Sequence, residues 1–253
     1  MGLTSSSTGL SAVDRGLIIH KQSPGDRIIA LAGNPNVGKS TVFNALTGMN
    51  QHTGNWPGKT VATARGRFDT AQNSCVLVDL PGTFSLLAHS AEEEIARDFI
   101  CFGKPDAVII VCDATCLERS MNLVLQTLEA APRVLVCVNL MDEARRRHIQ
   151  IDLELLSARL GVPVVGTAAR SRKTLASLTS ALDALLAAPE PRKAHRLRYS
   201  PDIESSVTRL MPLVNASASQ DPRWLCLKLL ENDASLQAAL AGQRGSSFLR
   251  PAL

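Results

Sequence analysis

Short, almost wholly apolar runs alternate along the chain with stretches of helical period. Arg27 to Ala32, Cys75 to Leu80, Ala107 to Asp113, Arg133 to Asn139 and Pro163 to Thr167 read as strands, each followed by a turn and a helix-like stretch. Strands this apolar suit a sheet covered on both faces, the usual setting of parallel pairing. One helix shows its period plainly, with Leu117, Met121, Val124, Leu125 and Leu128 on a single face. The pattern predicts an α/β, doubly wound, mostly parallel sheet. Arg67 to Phe68, joined to Cys75 by only a brief turn, fits an added antiparallel strand, because parallel neighbours need a longer crossover.

The alternation stops near Ala187. Pro189, Pro191 and Pro201 punctuate a basic stretch from Arg192 to Arg198, which reads as a connection. Beyond it only helical patterns appear: Ile203, Val207, Leu210, Met211 and Val214 share one face, followed by helical segments at Pro222 to Glu231 and Ala234 to Ala241. Four regions follow, namely a flexible leader at 1–26, an α/β domain at 27–188, a linker with a small all-helical domain at 189–241, and a disordered tail at 242–253. So short a helical region is expected to pack against the α/β domain rather than fold alone.

Composition narrows the function classes. With 253 residues, 45% of them hydrophobic and 20% charged, the chain can bury a core without metal or disulfide staples. Apolar runs such as Ala107 to Cys112 and Val134 to Val138 fall far short of the ~18 residues a membrane span needs. Cys75, Cys112 and Cys137 lie inside strand-like runs and read as reduced, buried small hydrophobes; the cysteines and histidines lack the spacing of a zinc site. A net charge of +4 is too mild to require nucleic acid.

Gly33-Asn34-Pro35-Asn36-Val37-Gly38-Lys39-Ser40 is a full G-x-x-x-x-G-K-S between a strand and a helix, continued by Thr41. Glycines let successive N–H groups wrap a polyphosphate, and the following helix adds its positive N-terminus. Lys39 can then reach the β- and γ-phosphates while the Ser40 hydroxyl ligates Mg2+. The fold class is therefore that of a P-loop NTPase. Asp79-Leu80-Pro81-Gly82 closes the next apolar strand: the carboxylate can hold the metal and the Gly82 N–H can meet the γ-phosphate. Alone, this segment is also an ordinary strand-ending turn. Asn139-Leu140-Met141-Asp142 follows another strand. A carboxylate at Asp142 accepts from the N1–H and 2-amino edge of guanine and would stand unpaired against adenine, while Asn139 can brace neighbouring loops. In isolation either residue could equally be a helix N-cap.

In this order the three motifs look like a small GTPase. Gly33 to Asn36, the run Thr53-Gly54-Asn55-Trp56-Pro57-Gly58-Lys59-Thr60-Val61, and Asp79 to Thr83 resemble the cytosolic N-terminal region of the FeoB family of bacterial ferrous iron transporters. The likeness extends over about residues 27 to 241, including Arg223 to Leu230 in the helical region. It implies that GTP or GDP is held by 34–41, 55–60, Asp79, Gly82, Asn139, Leu140, Asp142 and the loop Ala168-Ala169-Arg170, with Asn36, Lys39, Thr60 and Gly82 acting in hydrolysis. It further implies Mg2+ on Ser40, Thr60 and Asp79, and an activating K+ on Asn36 with backbone carbonyls around Gly54 and Trp56. Trp56 also reads as a plain hydrophobic anchor. The implied partner is a membrane domain of the same transporter, placing the region on the cytoplasmic side of the bacterial inner membrane, with self-association left open.

Several positions depart from the family pattern. Thr83 and Phe84 stand where many GTPases carry a water-orienting glutamine, which predicts slow intrinsic hydrolysis. Lys59 and Ala62 replace residues that are more often apolar and acidic. Ala168 lacks the serine hydroxyl that would brace the base loop, leaving the Ala169 N–H to serve guanine and predicting fast GDP release. The rival reading is a soluble RNA- or ribosome-associated GTPase using Arg145 to Arg147, Arg170 to Lys173 and Arg192 to Arg198. Against it, only Tyr199 offers a stacking ring near those clusters, so no nucleic acid is expected.

Overall fold

The computed structural model describes residues 23–48, 51–56, 61–87, 90–189, 197–214 and 221–232. Most of the expected leader, the helical segment at 234–241 and the tail at 242–253 lie outside them. All five expected strands form: β1 (Arg27–Gly33), β4 (Ser74–Asp79), β5 (Ala107–Asp113), β6 (Val134–Asn139) and β7 (Val164–Gly166). They pair in parallel in the order β4-β1-β5-β6-β7. The strand expected at Arg67 to Phe68 is antiparallel to β4 as the short turn requires, with Phe68 opposite Cys75.

That strand is longer than expected. β3 runs Ala62–Asp69 and takes a further antiparallel partner, β2 (Gln51–Asn55), with Asn55 opposite Ala62. Among the described residues the sheet therefore has seven strands, and the segment around Gly54, which carried no strand signal, forms an edge strand. The reason is backbone pairing: residues 62–66 would otherwise present bare N–H and C=O groups, and a polar strand with no apolar alternation can satisfy them.

Side chains alternate across the parallel strands, so these strands feed two cores. Ala30, Ala32, Val78, Val108, Ile110, Val136 and Val138 face one layer, joined by α2 (Ala91–Phe102) and α3 (Leu117–Ala130). Ile29, Leu31, Leu77, Ile109, Leu135 and Cys137 face the other, under α1 (Lys39–Thr47) and α6 (Arg172–Ala187). α4 (Met141–Arg146) and α5 (Leu153–Leu160) flank β6 and β7 in the chain, with Ala144 and Leu160 joining the first core. α2 starts at a serine N-cap: the Ser90 hydroxyl accepts from Glu93 N–H at 3.2 Å, and Glu92, Glu93 and Glu94 meet the positive end of the helix. The six cysteines are free, and burial pushes the Cys75, Cys101 and Cys112 thiols up to about 12.

The helical region packs on the first core, as expected. It comprises α7 (Pro201–Leu210), a single 3-10 turn (Met211–Leu213) and α8 (Pro222–Leu230). The continuous face expected from Ile203 to Val214 is broken: Val207 and Val214 are buried, whereas Ile203 and Met211 are more than a third exposed. Pro212, which supplies no N–H and cannot continue an α-helix, takes Met211 off that face, while Ile203 lies in the exposed first turn of α7. Trp224 of α8 meets Phe102 of α2 edge to face at 6.3 Å, and Tyr199 donates its hydroxyl to Glu129 of α3 at 3.0 Å. Arg223 forks onto both Glu204 oxygens at 2.7 and 2.8 Å and, helped by the Tyr199 N–H, holds that carboxyl down to about 2. Among the described residues no helix is long and apolar enough to cross a membrane.

Candidate functional site

The chain turns from β1 to β4 on one side of the sheet and to β5 on the other, so β1 is the switch point where α/β sheets open a crevice at their carboxyl ends. The expected motifs lie there. Gly33 ends β1, Asp79 ends β4 and Asn139 ends β6.

The phosphate loop turns sharply before α1. Gly38, at the N-cap of that helix, has φ +82°, and Asn36 also adopts the left-handed region at φ +67°. A Cβ on Gly38 would stand 2.4 Å from Asn139 Nδ2, so glycine is required both by the backbone and by the neighbour. Pro35, Asn36, Ser40 and Thr41 are exposed, while Val37 is buried in the second core. Asn34 is buried, donating through Nδ2 to the Arg119 carbonyl of α3 at 3.0 Å.

Lys39 and Asp79 form the electrostatic centre, with Nζ 2.5 Å from Oδ1 and both side chains largely shielded. Burial raises the Asp79 carboxyl above the usual carboxylate range, and the Lys39 ammonium opposes that shift. Gly82 brings the second motif onto the first, since a Cβ there would lie 3.2 Å from Pro35 N and Cγ. Thr83 does not reach toward solvent. It is buried, its N–H donates to the Gly33 carbonyl at 3.2 Å and its hydroxyl to the Ser85 carbonyl at 2.6 Å. Phe84 is exposed beneath the Arg119 guanidinium, 4.8 Å from the ring centre.

At the other end of the crevice, fully buried Asn139 joins two loops. Its Nδ2 donates to the Val37 carbonyl at 3.1 Å, and its Oδ1 accepts from Ala169 N–H and the Thr167 hydroxyl, each at 3.2 Å. Bracing by Asn139 is thus seen directly. Leu140, at φ +63°, reverses the chain so that Asn139 turns inward while Asp142, two residues later on α4, stays half exposed. Arg146 Nη2 approaches Asp142 to 3.8 Å. The Ala169 amide that was expected for guanine is directed at Asn139 here, so an entering base carbonyl competes with that side chain.

The sequence missed one group. The expectation of an unbraced base loop is corrected: Thr174 Oγ1 accepts from Ala168 N–H at 3.2 Å and lies 3.0 and 2.9 Å from the Ala168 and Ser171 carbonyls. The only available signal was a hydroxyl residue in the first turn of α6, three positions beyond Ser171.

Pro57, Gly58, Lys59 and Thr60 lie outside the described residues, as do the side chains of Gln51 to Asn55. Trp56 is 4% exposed and its ring packs edge to face on Phe99 at 5.7 Å, while its backbone N–H donates to the Val61 carbonyl at 2.8 Å, so its side chain is a hydrophobic anchor. Arg170 is exposed beyond the base loop. For Mg2+, the Ser40 hydroxyl and the Asp79 carboxylate are hard oxygen donors of the right kind at the mouth of the phosphate loop, and these residues fit the ion.

A glycine-turned phosphate loop, a carboxylate at the adjacent strand end and an Asn/Asp pair two strands away define a P-loop GTPase. Residues 27–182 match the family described as Ferrous iron transport protein B, and residues 199–249 match the FeoB cytosolic helical domain. The chain belongs to the FeoB family, as its GTPase and helical domains. It is 39% identical to the Fe(2+) transporter FeoB of Escherichia coli K12 over 209 residues, and 39% identical to that of Salmonella typhimurium over 228. These alignments cover 81% and 87% of this chain but 27% and 29% of those proteins. The cytosolic domain of the T. maritima FeoB iron transporter superposes in its apo form with a TM-score of 0.78 and in its GMPPNP form with 0.79, at 34% identity. Each covers 89% of this chain, and 89% and 88% of the T. maritima chain respectively.

Proposed function

We propose that this chain is a K+-stimulated GTP switch that governs ferrous iron passage through a membrane domain of the same transporter, on the cytoplasmic side of the bacterial inner membrane. The observation that carries the proposal is the convergence of Lys39, Asp79, Asn139 and Asp142 along one sheet edge in a chain of this family. Lys39 binds phosphate oxygens once drawn from Asp79, Asp142 reads the guanine edge, and Gly82 offers its N–H where a γ-phosphate ends. Ser40 and Asp79, with Thr60, would hold Mg2+, which would neutralise charge on the phosphates when bound. Exposed Asn36 offers an amide oxygen for K+, and the anchored Trp56 fixes the strand end from which the Gly54 and Trp56 carbonyls would complete that site. A cation there favours the charge distribution of the transition state, so it acts on turnover more than on affinity.

The test is phosphate release at fixed ionic strength. Potassium should accelerate hydrolysis relative to sodium, and Asn36→Ala should erase most of that gain with little loss of GTP binding. Equal rates in the two salts would remove Asn36 and the ion from the mechanism.

A further inference from the structure

The base loop carries a brace that the family pattern does not foresee. Ala168 has no hydroxyl, yet the turn from Ala168 to Ser171 is closed by Ser171 N–H donating to the Ala168 carbonyl at 2.7 Å. Thr174, in the first turn of α6, reaches back across that turn. Its oxygen takes the Ala168 N–H, and its single proton has two carbonyls within 3.0 Å, those of Ala168 and Ser171. The consequence appears one residue on. With Ala168 tied to the helix start, the Ala169 amide is held against Asn139 Oδ1, and Asn139 in turn holds Val37 of the phosphate loop.

We propose that Thr174 is a positioning residue for guanine recognition: its hydroxyl fixes the Ala168–Ser171 turn, so that the Ala169 amide and the Asn139 side chain stand ready at the base, and it thereby sets the lifetime of bound GDP. The proposal rests on the guanine-nucleotide function assigned to the site above. It reverses the expectation that loss of a hydroxyl at 168 leaves the loop slack. Thr174 touches neither phosphate nor metal ligands, so it should act on nucleotide release and leave the cleavage step alone. Valine at this position keeps the shape of the side chain and removes both the acceptor for Ala168 N–H and the proton for the carbonyls.

The experiment uses the whole chain and a fluorescent N-methylanthraniloyl GDP, with release followed by stopped flow and single-turnover cleavage measured at saturating GTP. Thr174→Val should speed release at least about fivefold, since it removes the acceptor for Ala168 N–H as well as the proton shared by the two carbonyls, with the cleavage rate unchanged. Thr174→Ser should restore wild-type release. Ala168→Ser should recover much of the loss when combined with Thr174→Val, because a hydroxyl then serves the loop again. Wild-type release from Thr174→Val, failure of serine to rescue, or an equal fall in cleavage would each overturn the proposal. A wild-type chain with no saturable GDP signal would overturn the nucleotide function itself, a distinct failure.

Discussion

The two ends of the nucleotide crevice are built from different physics. At the phosphate end, position is held by charge: Lys39 and Asp79 pair directly, and the Lys39 ammonium opposes the upward shift that burial imposes on the Asp79 carboxyl. At the base end, order comes from neutral hydrogen bonds, half-buried from Thr174 to Ala168 and buried from Ala169 through Asn139 to Val37. An ion pair can exchange partners when a polyphosphate arrives, because its energy depends on charge rather than on a fixed geometry. Amide and hydroxyl bonds are directional, so the base end must be preformed to discriminate between purines. The interactions suit the proposed roles, an electrostatic end able to exchange partners and a geometric end able to recognise a base.

The largest test breaks the phosphate end alone. Lys39→Ala should lower GTP turnover by about a hundredfold or more, since it removes a preorganised cation from the transferred phosphoryl group. Phosphate release measures the loss. Fluorescent GDP should retain saturable binding through the base end, and near-wild-type turnover would show that Lys39 is merely the counterion of Asp79.

Asp142→Asn attacks the base end. The purine 2-position then meets a donor instead of an acceptor, so GTP should bind weaker by about 2–3 kcal/mol while xanthosine triphosphate gains. Calorimetry with both nucleotides checks the exchange. Unchanged preference for GTP would make Asp142 a surface residue paired loosely with Arg146.

A smaller effect sharpens the contrast because it touches both ends. Asn139→Ala leaves the Val37 carbonyl and the Ala169 amide without their partner, and should cost about 2 kcal/mol of folding stability. Because these bonds carry no net charge, the loss measured by urea unfolding should be the same in 0.1 M and 1 M KCl, where screening lengths differ about threefold. A salt-dependent penalty would mean that the base end is held by charge after all.

How much of this was legible in advance varies with the kind of signal. Apolar runs gave the five parallel strands, since a strand buried on both faces has to be apolar throughout, and the glycine and lysine spacing of 33–40 marked the phosphate loop because few residue types tolerate that turn. β2 was hidden because an edge strand beside a polar β3 satisfies backbone groups only, and backbone groups are the same in every residue. The end of α7 needed Pro212 weighed above an apolar period that ran on to Val214.

By itself the sequence determined the order of the motifs, the alternating architecture and the chemistry available at each strand end, because those depend on residue type and local spacing. Tertiary structure decided which groups meet: that Lys39 rests on Asp79, 40 positions away, that Asn139 spans from Val37 to Ala169, and that Trp56 lies on Phe99. It also decided that Thr174 stands in for the hydroxyl missing at 168. A hydrogen bond requires a donor and an acceptor within about 3 Å and in line. Composition can supply both groups, but only the folded path of the chain sets the distance between them.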